Sequence, residues 1–187
     1  MICRTLIAAM KHFFFIALVL SVTVHVSAQS LKNISNSEFK QQFLDRINTL
    51  RQTGCNCGTT YMHPVGPLVW NEQLAQAAKE HTLDMARRNY FSHDSPDGRS
   101  LKDRALNAGY NYNGYQSFAI GENIALGQQS IDEVMDGWIK SVGHCKNLMN
   151  ADFKEIGIFE YKTYWVQDFG GRVPFKTRSN ARIIYQK

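Results

Sequence analysis

The strongest pattern in the chain is a helical stripe near its centre. Ile131, Val134, Met135, Trp138, Ile139 and Val142 recur at i, i+3, i+4, i+7, i+8 and i+11, the spacing that brings side chains onto one helix face. Ser130 and Glu133 supply a capping box at its start. The stripe predicts one amphipathic helix running to Val142, a break at Gly143, and a second short helix opened by His144, Cys145 and their neighbours. A similar stripe of Phe39, Phe43, Leu44, Ile47 and Leu50 predicts a helix over about 37–52, ended by Thr53-Gly54. Leu74, Ala75, Ala78, His81, Thr82 and Met85 line one face of a helix over about 71–89, with Asn71 as its cap. Ser100 caps a shorter helix over 101–108 that Gly109 stops.

Between the helices the period changes. Residues 119–126 are apolar around Glu122 and read as a short extended segment; 155–161 and 163–169 read as two adjacent strands with Lys162 between them. The aromatic stretch from Tyr110 to Phe118 reads as packing at a sheet edge or loop, with lipid contact as the lesser alternative. Gly170-Gly171 closes the domain, leaving a basic 172–187 as tail or extra edge strand. Helices and strands alternate without the βαβ rhythm of a parallel sheet, so the residues alone predict an α+β domain with helices packed on a small sheet.

The first residues belong to a different pattern. Arg4 and Lys11 precede the apolar run Phe13–Leu20, and Val26-Ser27-Ala28 fits a small-residue cleavage site. Residues 1–28 therefore read as a secretory signal peptide; the apolar run is too short to span a bilayer. Cleavage would leave 159 residues: a polar lead-in over 29–36, one domain over 37–171, and the basic end. The leader carries two basic and no acidic residues, so net charge falls from +5 to +3. No long basic run remains, which gives nucleic-acid binding no support. The expected location is outside the cytoplasm, periplasmic or extracellular, with no transmembrane span after cleavage.

Cysteine usage agrees with export. Cys3 leaves with the leader, and Cys55, Cys57 and Cys145 remain. Cys55 and Cys57 are poor partners for each other because side chains two residues apart rarely meet bridge geometry. The expectation is one disulfide from Cys145 to Cys55 or Cys57 and one free thiol; a thiolate zinc site is the rival reading.

Three polar clusters at element boundaries are candidates for function: Phe91-Ser92-His93-Asp94, Gly121-Glu122-Asn123, and the stretch Trp138 to Asn150. The central hypothesis is that His93, Glu122 and His144 converge on one cleft. Two imidazoles can hold a divalent ion or move protons, and a carboxylate can orient them. Nucleophilic chemistry is weaker. No Gly-x-Ser-x-Gly elbow exists, Ser141 reads as a helix-terminal hydroxyl, and Cys145 diverges from its neighbour His144. His81, on an inward face, reads as a hydrogen-bonded core histidine, with a site role as the alternative.

Four motifs in order carry a resemblance: Phe91-Ser-His93, Gly121-Glu122-Asn123, Trp138-x-x-Ser141-x-Gly-His144-x-x-Asn-Leu-Met, and Tyr164-Trp-x-Gln-x-Phe-Gly170. Together they resemble the CAP superfamily (SCP-like: cysteine-rich secretory, antigen 5 and pathogenesis-related 1 proteins), in particular its compact bacterial branch. The resemblance covers about residues 38–170. It implies a three-layer α–β–α sandwich with a central antiparallel sheet, and a cleft with two histidines and two acids. His93, His144 and Glu122 fall on three of those positions, while Ser141 stands where the second glutamate would be. It further implies zinc as the metal that His93 and His144 would hold. The two functions to weigh are a secreted, non-enzymatic module binding a lipid, metal, cell-surface or protein partner, and a metal-assisted hydrolase with Glu122 as general base. A structural role with a relic cleft is the third.

Overall fold

The computed structural model describes residues 34–175; the expected leader over 1–28 and most of the basic end lie outside the described residues. The element order is α1 (Asn36–Thr53), β1 (Cys55–Cys57), β2 (Thr60–Met62), β3 (Val69–Trp70), α2 (Glu72–Arg88), α3 (Leu101–Asn107), β4 (Ser117–Leu126), α4 (Ile131–Lys140), α5 (Val142–Leu148), β5 (Glu155–Tyr161) and β6 (Tyr164–Val173). Every long helix begins at a predicted or equivalent polar cap. Ser35, Asn71 and Ser130 each accept hydrogen bonds from first-turn amides, and Ser100 forms a reciprocal capping box with Asp103.

The sheet runs β3-β5-β6-β4. Its three long strands are antiparallel, and two-residue β3 adds to the outer edge of β5 in parallel. Strand alternation divides the side chains between two helical layers. On one face Ile156, Ile158, Trp165 and Phe169 pack against Phe43 and Ile47 of α1, Val134, Met135 and Trp138 of α4, and Leu148 of α5. On the other, Ile124 and Val166 meet Ala78 and Met85 of α2, while Leu74 joins Ala105 of α3 and Tyr110. The result is the α–β–α sandwich, with β4 as one sheet edge. Gly157 makes the α2 contact so close that a Cβ there would lie 1.9 Å from the backbone nitrogen of Ala75.

Arg51 ties the first helix to the site layer. It is fully buried and donates to the carbonyls of Gly66, Leu148, Asn150 and Phe153 at 2.7–3.1 Å. Burial lowers its pKa to about 10, and the four carbonyls satisfy the guanidinium that burial strips of water.

Three details differ from the sequence-based expectations. The central helix ends at Lys140, and the chain leaves helical geometry at Ser141 (φ −81°, ψ 122°), not at Gly143. Val142, which extended the apolar stripe, is 46% exposed at the start of α5, so its place in the stripe is a coincidence of spacing and not a continuation of the buried face. β4 and β6 are both ten residues long, and β6 continues through Gly170-Gly171 to Val173. The hairpin between β5 and β6 turns on Lys162 and Thr163, both at positive φ (50° and 64°), as a two-residue type I′ connection requires.

The disulfide joins Cys57 to Cys145, with Cα atoms 5.5 Å apart, and Cys55 is free. It pins the β1–β2 hairpin to α5. Cys57, Cys145 and Met149 form a small core of their own beneath Leu50, Met62 and Val65.

Candidate functional site

Glu122 is the centre of the site. It lies in mid-β4 facing α2 and α3, and its side chain is 2% exposed. One carboxylate oxygen accepts from His93 Nδ1 at 2.7 Å. The other accepts from Arg104 Nη2 at 2.8 Å and lies 4.0 Å from His81 Nε2. Burial alone would raise the Glu122 carboxyl, but the bond from His93 and the charges of Arg104 and His93 outweigh it and hold Glu122 below its usual range. Glu122 is therefore an anion at neutral pH with both oxygens engaged.

Each partner is delivered by a local device. Arg104 stands in the second turn of α3, fully buried, with a second bond from Nη1 to the Arg99 carbonyl. His93 lies in the loop between α2 and α3. That loop is held by Arg99 against Asp97 and Asp84, and by His81, whose Nε2 lies 2.9 Å from the Ser92 carbonyl oxygen. A carbonyl only accepts, so His81 carries its proton on Nε2. Burial is the main reason its pKa is lowered, and the ring is neutral. His81 is thus the buried, hydrogen-bonded histidine expected from its helix face, and it also fixes the residue before His93.

His144 is positioned through the adjacent residue of the strand. Asn123 points to the opposite face from Glu122, where its Nδ2 donates to the His144 carbonyl at 3.3 Å and to Gln167 Oε1 at 2.9 Å. Asn147 of α5 reaches back, donating to the Glu122 carbonyl at 3.1 Å and to Asn123 Oδ1 at 2.9 Å. The Glu-Asn pair of β4 and the His-x-x-Asn of α5 thus interlock. The edge of β4 is capped by a side chain, and His144 is set beside it. His144 is half-buried; burial first, and the nearby His93 charge second, lower its pKa, so its ring is neutral at physiological pH. Ser141 stands at the α4–α5 junction, where its hydroxyl caps no helix amide; its backbone carbonyl accepts from Cys145 N at 2.8 Å.

The sequence profile described as "CAP: Cysteine-rich secretory protein family" matches residues 44–169. The chain belongs to the CAP family. Among relatives, YkwD of Bacillus subtilis (strain 168), an uncharacterized protein, is 38% identical over 108 residues, 57% of this chain and 40% of that one. The uncharacterized membrane protein YlbC of the same organism is 34% identical over 145 residues, 77% of this chain and 37% of that one. The CAP chain therefore spans less than half the length of these relatives. Among solved structures, an extracellular SCP-domain protein of Bacillus anthracis str. Ames is 33% identical with a TM-score of 0.58, over 73% of this chain and 43% of that one. An outer surface protein of Borrelia burgdorferi shares the fold (TM-score 0.60) at 22% identity, over 74% of this chain and 96% of that one.

A second buried carboxyl faces the site from the neighbouring strand. Asp168 of β6 lies directly across the sheet from Glu122 and is fully buried. Burial, and then the Glu122 charge, raise it well above the carboxylate range. Neither Asp168 oxygen has a hydrogen-bond partner. The proton resides on Asp168 and the charge on Glu122, because Arg104 and His93 contact Glu122 directly.

Sequence reasoning missed Arg104 and Asp168. The available signals were an arginine on the inward face of a short helix and an aspartate within the apolar strand Trp165–Phe169. Ionised side chains are rarely buried without a partner.

Proposed function

We propose that this CAP domain is an exported, non-enzymatic binding module whose cleft takes a divalent metal ion through His93 and His144. The observation that carries this reading is the complete engagement of Glu122. A carboxylate held below its usual range by an arginine and a histidine is a poor general base but a good orienting group for an imidazole. Its bond to Nδ1 fixes the His93 tautomer and leaves Nε2 free on a side chain that is 57% exposed. The neutral His144 ring offers a second nitrogen donor.

The donor set fits an open site. Among the described residues, the one group of three or more His, Cys, Asp or Glu ligand atoms gathered within 4.8 Å is the cysteine trio. In this reading His93 and His144 supply two imidazoles and leave the remaining positions to water or a partner's group. Zinc suits imidazole nitrogen; bound there, it would supply a Lewis-acidic docking point. Export is supported by the leader-like residues 1–28, by a disulfide, and by the extracellular SCP-domain relative. No helix among the described residues is long and apolar enough to cross a membrane.

Calorimetric titration of zinc tests the reading. Saturable heat is expected for the wild type and none for His93→Ala/His144→Ala; equal heats from both would end the metal proposal. Peptide and lipid-ester substrates, with and without chelator, should show no turnover. Chelator-sensitive turnover would favour the metal-assisted hydrolase with Glu122 as base.

A further inference from the structure

Three sulfurs lie together where the β1–β2 hairpin meets α5. The Sγ atoms of Cys55, Cys57 and Cys145 all fall within 4.8 Å of one another. Cys57 and Cys145 are bonded; the free Cys55 Sγ is 3.7 Å from that of Cys145 and 4.0 Å from that of Cys57. Strand geometry explains the cluster. Residues two apart on a strand project to the same side, so β1 presents both of its cysteines to the one on α5. The bonded pair is fully buried, whereas Cys55 is half-buried.

We propose that Cys55 is an exchange thiol that moves the bridge from Cys57–Cys145 to Cys55–Cys145, giving the hairpin and α5 two covalent registers. In the step, the Cys55 thiol passes its proton to water and the thiolate attacks Cys145 Sγ. The Cys55–Cys145 bond forms as the Cys57–Cys145 bond breaks, and Cys57 leaves as a thiolate that takes a proton from water. One disulfide and one thiol are present before and after, so no oxidant or reductant is consumed. Cys55 Sγ lies beside the bridge, 3.7 Å from Cys145 Sγ and 4.0 Å from Cys57 Sγ, so its side chain rotates into line with the Cys57–Cys145 bond before attack. Cys145 is the sulfur attacked because attack on Cys57 would leave a bridge between neighbours-but-one on a strand. Burial pushes the Cys55 thiol up, so the reactive thiolate is a minor species at neutral pH and the exchange is slow. Cys145 directly follows His144, so a change of register acts on the helix that forms one rim of the cleft.

The full exported chain is incubated over a range of protein concentrations, quenched in acid at intervals, alkylated and mapped by mass spectrometry under non-reducing conditions. Alkylated Cys57 beside a Cys55–Cys145 bridge should accumulate with time, at a rate independent of protein concentration. Cys55 as the sole alkylated cysteine at every time would overturn the proposal. A Cys55–Cys57 bridge with alkylated Cys145 would overturn the choice of attacked sulfur. In Cys57→Ser, Cys55 and Cys145 should bridge and give a higher Tm than Cys145→Ser; two free thiols in folded Cys57→Ser would also overturn it. Should Cys57→Ser fail to fold, the wild-type time course decides alone.

Discussion

Glu122 and Asp168 face each other across neighbouring strands with both carboxyls buried, and they divide the charge unequally. Glu122 is held as an anion by Arg104 and His93, and its charge keeps the proton on Asp168. Folding therefore takes up a proton at Asp168 at any pH between the ordinary aspartate range and its raised folded value. Across that window the group costs progressively more stability as pH rises, at most about 1.4 kcal/mol per pH unit for one proton. Asp168→Asn removes the titration and places an amide donor beside Glu122. The variant should be at least as stable as the wild type near neutrality and show a flatter dependence of Tm on pH. An unchanged slope from pH 5 to 8 would place the proton elsewhere.

Arg104 and Glu122 are a buried pair, and removing one partner strands the other. Glu122→Gln should cost about 3–5 kcal/mol, the range for an uncompensated buried charge, because Arg104 is fully buried. Adding Arg104→Met to Glu122→Gln should recover part of that loss in denaturant unfolding. A double variant whose loss equals the sum of the two singles would show that the pair is not coupled.

His93 has the opposite linkage to Glu122. Its hydrogen bond to Glu122 raises it above the ordinary histidine value despite burial. Its contribution to stability is fully present below the unfolded histidine pKa and is lost as pH rises through the raised folded value. Zinc competes with that proton, so affinity at His93 and His144 should rise over the same interval. In His93→Ala the stability gained on acidification should shrink, and the zinc heat should vanish at every pH.

Much of this arrangement was legible in the chain because it is local. The stripes of α1, α2 and α4, and the caps at Asn71, Ser100 and Ser130, depend on neighbours within a few residues. His93 and His144 stand out in the chain as polar residues of short motifs next to element ends, whereas Glu122, expected at a boundary, lies in mid-β4. Arg104 and Asp168 were not, since what makes them matter is the β4–β6 register and the seating of α3, which no local spacing encodes. The same limit explains the misplaced helix break. Val142 keeps the period of α4, and only the Ser141 dihedrals show that the axis has changed. The partner of Cys145 was open for the same reason, because both candidates lie on one strand face.

Asn147 is the link that ties α5 to the edge of β4. One amide group meets both the Glu122 carbonyl and the Asn123 side chain. Asn147→Ala should cost about 1–3 kcal/mol by leaving a strand-edge carbonyl and an amide oxygen short of a donor. Because α5 also carries His144, the same variant should weaken zinc binding without touching either imidazole. Asn147→Asp tests the geometry, since it keeps the shape but replaces the donor with an acceptor facing two acceptors. It should be at least as damaging as alanine in both melting and calorimetry.

The turn at Lys162-Thr163 offers a change in the stabilising direction. A left-handed conformation costs an L-residue roughly 1–2 kcal/mol, and β-branched Thr163 at φ 64° is the less suited of the two. The turn keeps its shape because Thr163 N donates to Glu160 Oε1 at 2.8 Å and its carbonyl accepts from Gly127 N at 3.0 Å. Both bonds use only the Thr163 backbone, so glycine at this position retains them. Lys162→Asn with Thr163→Gly supplies the residue pair that type I′ hairpins favour. The gain should be roughly 1 kcal/mol, less than the full strain because glycine also loses more freedom on folding. Denaturant unfolding should show a higher midpoint at unchanged m-value. A lower midpoint would mean that the side chains removed, including the Lys162 ammonium 5.5 Å from the Tyr161 ring centroid, make contacts worth more than the strain of the turn.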